Sequence, residues 1–511
     1  MNKNKIGLTV LMGWLLMLFT PVASAAEAGI SAVFDVLNSS IGAVMFFDIF
    51  PDVFFGEAEM PFIVAWLFVG AVFLTLRFGF VNLRMMGHAL QIIRGKYHHP
   101  SAKGEVTPFQ ALTTALSATV GLGNIAGVAI AIIIGGPGAI IWMIIAGFFG
   151  MTSKFTEVTL GQMYREFRPD GRIMGGGMQY LSKGFAERGF SGVGKSLAIL
   201  FAILTIGASL GGGNAFQVSQ AVGAVKNEIP FFANGNEWML GVAMAIAVGM
   251  VIIGGIRRIA IAAEAIVPTM VMIYVATCMW IILTNVAAVP EAFSVIWNGA
   301  FSMEAGFGAL VGVIVQGFKR AAFSSEAGMG SAAIAHSAAS VKYPVRQGLV
   351  ALYEPFIDTI IICTMTALVI TITGVYSGDE FAALREAKDG AALTAEAFRT
   401  SVSWFPIILS ISVILFAYST MISWSYYGER CWTYVFGEKF TLFYKVIFIA
   451  FIIIGSVTSA SSILDFSDLL FLSMAFPNFI GLYLLHGKVK TALAEYRAKL
   501  KSGELDREVQ Q

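Results

Sequence analysis

Thr107–Gly136 reads TPFQALTTALSATVGLGNIAGVAIAIIIGG. The stretch holds no Lys, Arg, Asp or Glu. It is long enough to cross a bilayer, for which about 20 apolar residues suffice. Its middle, Thr119-Val120-Gly121-Leu122-Gly123-Asn124, is poor material for a continuous helix, because glycine costs about 1 kcal/mol relative to alanine inside one. The pattern predicts a helix that breaks at mid-membrane and frees backbone N–H and C=O groups. In lipid such groups are tolerated only where they line a cavity or a ligand. An interrupted membrane helix points to the binding site of a transporter.

The rest of the composition agrees. The 511 residues are 57% hydrophobic and 13% charged, with mean hydropathy +0.77. Soluble domains carry about 25% charged residues, so this is an all-α polytopic membrane protein whose first partner is the lipid bilayer. The net charge of +1, with no basic stripe, excludes nucleic acid as a partner. Cys278, Cys363 and Cys431 lie far apart and form neither a disulfide framework nor a CxxC metal pattern. His98-His99 precedes Pro100 in a polar loop, a solvated setting.

Residues 1–25 combine Lys3 and Lys5, an apolar core and Ala23-Ser24-Ala25, the pattern of a signal peptide. An uncleaved first helix is the alternative. Residues 26–60 are acidic and partly amphipathic and are expected outside the cytoplasm. About eleven spans follow: 61–80, 108–134, 138–163, 196–222, 237–254, 262–286, 304–320, 347–374, 403–425, 441–460 and 466–486. Every second connection is basic, with Arg84, Arg94, Lys96 and Lys103 after the first span and Arg257 and Arg258 after the fifth. Lys319, Arg320, Lys342 and Arg346 follow the seventh, and the 487–511 tail is basic as well. The alternate connections, among them 287–304 and 375–402, are acidic or uncharged. Basic loops face the cytoplasm, which puts the C-terminus there too.

One span, 61–80, precedes the broken helix, and the other ten divide into repeats of five, 108–286 and 304–486. Val120–Gly127 (VGLGNIAG) and Ala305–Gly312 (AGFGALVG) carry glycines at matching offsets. Five spans per half reverse the sense of the second half. The arrangement is an inverted repeat with a glycine-interrupted helix opening each half.

Several long motifs carry a family resemblance: PFQALTTALSATVGLGNIAGVA, GGPGAIIWM, RAAFSSEAGMGSAAIAHSAA, VRQGLVALYEPFIDTIIICTMTALVI and YSTMISWSYYGERC. Together they resemble the alanine/glycine:cation symporter family over about residues 60–486. The resemblance implies a leucine-transporter-like 5+5 fold with one extra N-terminal helix. It also implies sodium-coupled import of small neutral amino acids, alanine and glycine, by alternating access across a bacterial cytoplasmic membrane. Ile141 and Ile144 depart from the aromatic residues usual in the family's third span, a difference that bears on packing and substrate preference. No cofactor is implied beyond Na⁺ as coupling ion.

A zwitterion needs homes for a carboxylate and an ammonium. The helix resuming at Asn124 offers free N–H groups and a positive dipole end to the carboxylate. Glycine allows close approach to that backbone. Thr119, Gly121, Leu122 and Gly123 are therefore candidate substrate contacts at the first break, with Phe307 at the second, near Gly306–Gly308. Sodium prefers hard oxygen ligands. By resemblance, Ser419 and Thr420 would face the carbonyls of Ser117 and Val120 around one Na⁺. Asn124 would either join a second ion or brace the break. Gln217 should have a partner if buried, and the substrate is one candidate. Trp424 shares a helical face with Thr420 and would either limit the side-chain pocket or anchor the membrane interface.

Lys154, Glu157, Glu264, Glu326, Glu354 and Asp358 are costly charges for a membrane. Glu354 and Asp358, spaced i, i+4, are expected to pair with Arg257, Arg258, Lys319 or Arg320. Alternatively, Glu326, Glu354 and Asp358 form an inner gate. The paired carboxylates also keep a proton-coupled carrier open as the second reading. A channel lacks its ring-forming acidic repeat, and an enzyme lacks HExxH, GxSxG or a His paired with a nucleophile.

Overall fold

The computed structural model describes residues 42–50, 59–97, 102–169, 171–233, 235–302, 306–458 and 460–510. The expected signal peptide lies outside them. The first long helix, α1, is Phe62–Arg77. The opening stretch becomes α2 (Pro108–Thr119), a π-turn at Gly123–Gly127 and α3 (Val128–Gly135). Their axes are bent by 51°. Thr107 caps α2 in a reciprocal box: its hydroxyl accepts from the Gln110 N–H, and the Gln110 side chain accepts from the Thr107 N–H. The α2 register is therefore pinned at its start and released at its glycines.

Next come α4 (Ala139–Met163), α5 (Ser191–Leu210), a second π-turn at Gly211–Ala215, α6 (Phe216–Glu228), α7 (Glu237–Ile252) and α8 (Gly255–Thr284). The chain continues with α9 (Phe307–Ser325) and α10 (Ala332–Ser337). It continues through α11 (Pro344–Ala351), a third π-turn at Phe356–Cys363, and α12 (Thr364–Thr373). It ends with α13 (Gly390–Ser401), α14 (Phe405–Phe436), α15 (Thr441–Val457), α16 (Ala460–Lys501) and α17 (Glu504–Gln510).

Among the described residues, seven helical spans are long and apolar enough to cross a membrane, and the bent α2/α3 pair makes an eighth candidate. Phe62–Arg77, Glu237–Ile252 and Val286–Phe301 are shorter apolar helices. Two stretches expected as connections are helical. Val289–Phe301 packs against the start of α4, where Trp142 donates to the Ala300 carbonyl at 2.9 Å. Within 375–402, α13 folds onto the first π-turn so tightly that a Cβ on Gly390 would lie 2.2 Å from the Ala126 carbonyl oxygen.

The second break is displaced from its expected place. Gly306 has φ +93° and only starts α9, which runs unbroken through Gly308 and Gly312 to Ser325. The interruption falls at 326–331, where Glu326, Gly328 and Gly330 have φ of 55°, 85° and 83°. Left-handed backbone there, rather than glycine inside a helix, stops the chain. Just beyond it the two halves are joined main chain to main chain: the Glu105 N–H donates to the Ala338 carbonyl and the Ser340 N–H to the Val106 carbonyl, both at 2.8 Å.

Candidate binding site

The first interruption packs against the last turn of α9, just before the second. A Cβ on Gly123 would come within 3.2 Å of the Ser324 Cα, so glycine is what permits this approach. The first break is held from two sides. The Leu122 N–H donates to Gln217 Oε1 at 3.1 Å, while Gln217 Nε2 donates to the Gly212 carbonyl at 2.8 Å. The partner expected for Gln217 is thus the freed backbone of two breaks. The Gly121 N–H donates to Asn124 Oδ1 at 3.0 Å. Asn124 Nδ2 in turn donates to Asp358, at 2.6 Å to Oδ1 and 3.0 Å to the carbonyl. Asn124 thus hydrogen-bonds both to the freed Gly121 N–H and to Asp358.

Ser419 and Thr420 reach the end of α2 from α14. Thr420 Oγ1 donates to the Ser117 carbonyl at 3.1 Å, and Ser117 Oγ donates to the Ser419 carbonyl at 2.7 Å. Ser419 Oγ lies 3.5 Å from the Ser117 carbonyl. The Ser117 carbonyl and the Ser419 and Thr420 hydroxyls, three hard oxygens, converge here in a fully buried setting, a donor set that suits an alkali cation. The Val120 N–H donates to the Leu116 carbonyl at 2.7 Å, closing the last turn of α2. Thr119 turns its hydroxyl onto its own helix, donating to the Ala115 carbonyl at 3.2 Å.

Trp424 is buried, which excludes the interfacial-anchor reading. Its Nε1 donates to Glu326 Oε1 at 2.8 Å, and its ring packs on Phe471 with centroids 4.6 Å apart. A Cβ on Gly213 would lie 2.3 Å from that indole. Glu326 Oε2 accepts from Ser331 Oγ at 2.5 Å, so one carboxylate ties the second break to α14. Phe307 does not belong to the site: it heads α9, is 42% exposed, and stands a whole helix away from the turn at 326–331.

The partners of the buried acids differ from those expected. Lys154 Nζ lies 3.1 Å from Glu354 Oε2 and 3.9 Å from Glu157 Oε1, with every side chain fully buried. His336 Nε2 meets Glu354 Oε1 at 2.5 Å, and His336 Nδ1 lies 2.6 Å from Gln347 Nε2. Glu157 Oε2 accepts from the Gly330 N–H at 3.0 Å and from Asn478 Nδ2 at 3.1 Å, holding the second break from α4 and α16. Asp358 has neutral donors: Asn124 Nδ2, Ser324 Oγ at 2.7 Å and Thr359 Oγ1 at 2.8 Å. Lys319 and Arg320 instead pair with Asp468, and Arg258 donates to the Met250 carbonyl. Lys154 lies close in sequence to Glu157, but its approach to Glu354 depends on how α4 packs. His336 carries no signal in the sequence beyond its place in the family motif.

Interrupted helices in an apolar bundle, packed close to one another with freed backbone and hydroxyl oxygens beside them, are the mark of a secondary transporter. The chain belongs to the sodium:alanine symporter family, whose profile matches residues 45–511. It is 40% identical over 430 residues to the sodium/alanine symporter AgcS of Methanococcus maripaludis, covering 84% of this chain and 92% of that protein. It is 34% identical over 435 residues to the probable sodium/glutamine symporter GlnT of Bacillus subtilis, covering 84% and 87%. The crystal structure of MhsT in complex with L-phenylalanine matches with TM-score 0.50 at 14% identity, covering 75% of this chain and 99% of that one. At that identity the likeness speaks for the fold alone. The chain is accordingly an integral membrane protein of an amino-acid symporter family.

Proposed function

We propose that this protein imports small neutral amino acids, alanine and glycine, together with Na⁺ across a cytoplasmic membrane. The proposed frame is eleven spans with the C-terminus inside, 61–80 standing apart from repeats 108–286 and 304–486. The observation that carries the reading is the convergence of Ser117, Ser419 and Thr420 oxygens beside the Gly121 break. Na⁺ bound there draws α2 against α14. The substrate carboxylate lies at the backbone of Gly121–Gly123, and the indole of Trp424 limits its side chain. Glu326, which accepts from Trp424 and Ser331, couples occupancy to the second break. Release to the inside requires Glu326, Glu354 and Asp358 to exchange partners.

Radiolabelled alanine uptake into proteoliposomes tests this reading. Uptake should follow an imposed Na⁺ gradient, and K⁺ should not replace Na⁺. Equal accumulation without Na⁺ would overturn it. A proton-coupled carrier is the second reading, supported by Asp358, a buried acid held by three neutral side-chain donors. That reading requires uptake driven by a pH gradient in sodium-free medium, and its loss in Asp358→Asn.

A further inference from the structure

The end of the bundle that carries the basic loops holds a cavity of about 280 Å³, between the Met86–Ile93 helix, the start of α2 and the start of α11. Arg94, Arg346 and Thr107 line it, and Ile93, Phe109 and Val341 supply apolar wall. Arg346 is only 2% exposed. Its Nη1 donates to the Tyr97 carbonyl at 3.0 Å and its Nε to Tyr496 Oη at 3.3 Å. The rings of Tyr97, Tyr343 and Tyr496 surround the guanidinium at 5.0–5.9 Å. Nη2 has no partner. A buried guanidinium with an unused N–H edge is costly unless an anion completes it.

No acid of α17 hydrogen-bonds to Arg346, although Glu508 lies near enough to feel its charge. Asp506 pairs with Lys96 at 3.0 Å and Glu508 with Lys342 at 3.1 Å. Neither Arg94 nor Arg346 forms an ion pair among the described residues. Among the described residues that line the cavity two are cations, Arg94 and Arg346, and none is a carboxylate. The N-terminus of α2, twelve residues long, adds the positive end of its dipole, although its Thr107 and Gln110 N–H groups are already taken by the capping box.

We propose that this cavity binds a phosphate-bearing anion, the headgroup of an acidic phospholipid, between Arg346, Arg94 and the start of α2. Basic pockets between membrane helices are a known form of headgroup site. The volume is below the 300–1,000 Å³ usual for a whole drug-sized ligand, which fits a headgroup whose acyl chains leave along the apolar wall. The position gives the anion leverage. α2 is one half of the broken helix, and the segment before it is bonded to the segment after α10 through Glu105–Ala338 and Val106–Ser340. The bound headgroup ties both segments to the 94–97 loop whatever solute is carried.

The test uses the full-length protein in neutral detergent, titrated separately with phosphatidylglycerol, phosphatidylcholine and inorganic phosphate. Lipid retained in native mass spectrometry and the midpoint of thermal unfolding are the readouts. Phosphatidylglycerol should be retained and raise the midpoint, and phosphatidylcholine should do neither. Arg94→Gln, at an exposed position, and Val341→Phe, which fills the cavity and keeps both charges, should each weaken the effect about tenfold or more. Inorganic phosphate that reproduces the stabilisation and displaces the lipid would assign the site to a free anion. Phosphatidylglycerol binding of unchanged strength in both variants, or no selectivity over phosphatidylcholine, overturns the proposal.

Discussion

Replacing Gly121 by Ala tests the geometry of the first break at a single atom. The added Cβ would lie 2.4 Å from Thr420 Oγ1 and 3.2 Å from Gln217 Oε1. Neither neighbour is free to retreat: Thr420 Oγ1 donates to the Ser117 carbonyl and Gln217 Oε1 accepts from the Leu122 N–H. Forcing a methyl into a filled interior costs about 1–3 kcal/mol. Rotating Thr420 away forfeits a buried hydrogen bond worth about 1 kcal/mol. The expected penalty of about 2–4 kcal/mol is a roughly 30- to 700-fold loss of sites with the native arrangement. Thermal unfolding and Na⁺-driven alanine uptake should both register it. Gly127→Ala, whose nearest contact would be 3.9 Å away, is the control expected to behave as wild type. In a Thr420→Ala background the steric penalty of Gly121→Ala should shrink to what the 3.2 Å approach to Gln217 Oε1 imposes, giving a coupling energy of about 1–3 kcal/mol. A penalty of the same size in both backgrounds would refute the contact.

Trp424→Phe keeps the ring stack on Phe471 but removes the donor to Glu326 Oε1. Uptake should fall about tenfold or more, as expected for a buried acceptor left short by one bond, with the retained affinity for Na⁺ measured separately. Asn124→Asp sets a second carboxylate against Asp358 and should abolish uptake. The exchange Asn124→Asp with Asp358→Asn should restore part of it, and no rescue would refute the pairing. Outside the spanning segments, burial and the charge of Arg346 hold His88 down at about 4, whereas an unfolded chain titrates near 6.5. His88 therefore contributes stability that is fully present above about pH 6.5 and is lost as pH falls toward 4. Thermal unfolding from pH 7 to 4 should show this decline, and His88→Gln should flatten it.

Much of this was legible in the chain because the membrane imposes a one-dimensional signal. The opening glycines broke α2 where expected, since an interrupted apolar helix leaves a composition mark. The second break was not legible from glycine spacing. Gly308 and Gly312 lie inside a regular helix, whereas a left-handed Glu326 with Gly328 and Gly330 makes the turn. Thr420 and Ser117 were brought together by family resemblance, and the hydrogen bond between them agrees with it. Lys154 with Glu354 and Asn124 with Asp358 are long-range meetings set by helix packing, which local periodicity does not encode. Phe307 heads α9 rather than lining a break, because Gly306 starts a helix instead of interrupting one.

The three π-turns have a consequence for anyone mapping this protein by labelling. Where the helix runs on through such a turn, as at 211–215, the turn is in effect one inserted residue, and one residue of α-helix turns the wheel by about 100°. Residues 191–228 look like a single long cylinder, yet the face shown by α5 is not the face that α6 continues after Gly211–Ala215. A cysteine-accessibility scan along this stretch should trace a stripe that steps sideways at 211–215, and the same slip should recur at 356–363. Helical-wheel positions on one side of such a step cannot be carried across to the other.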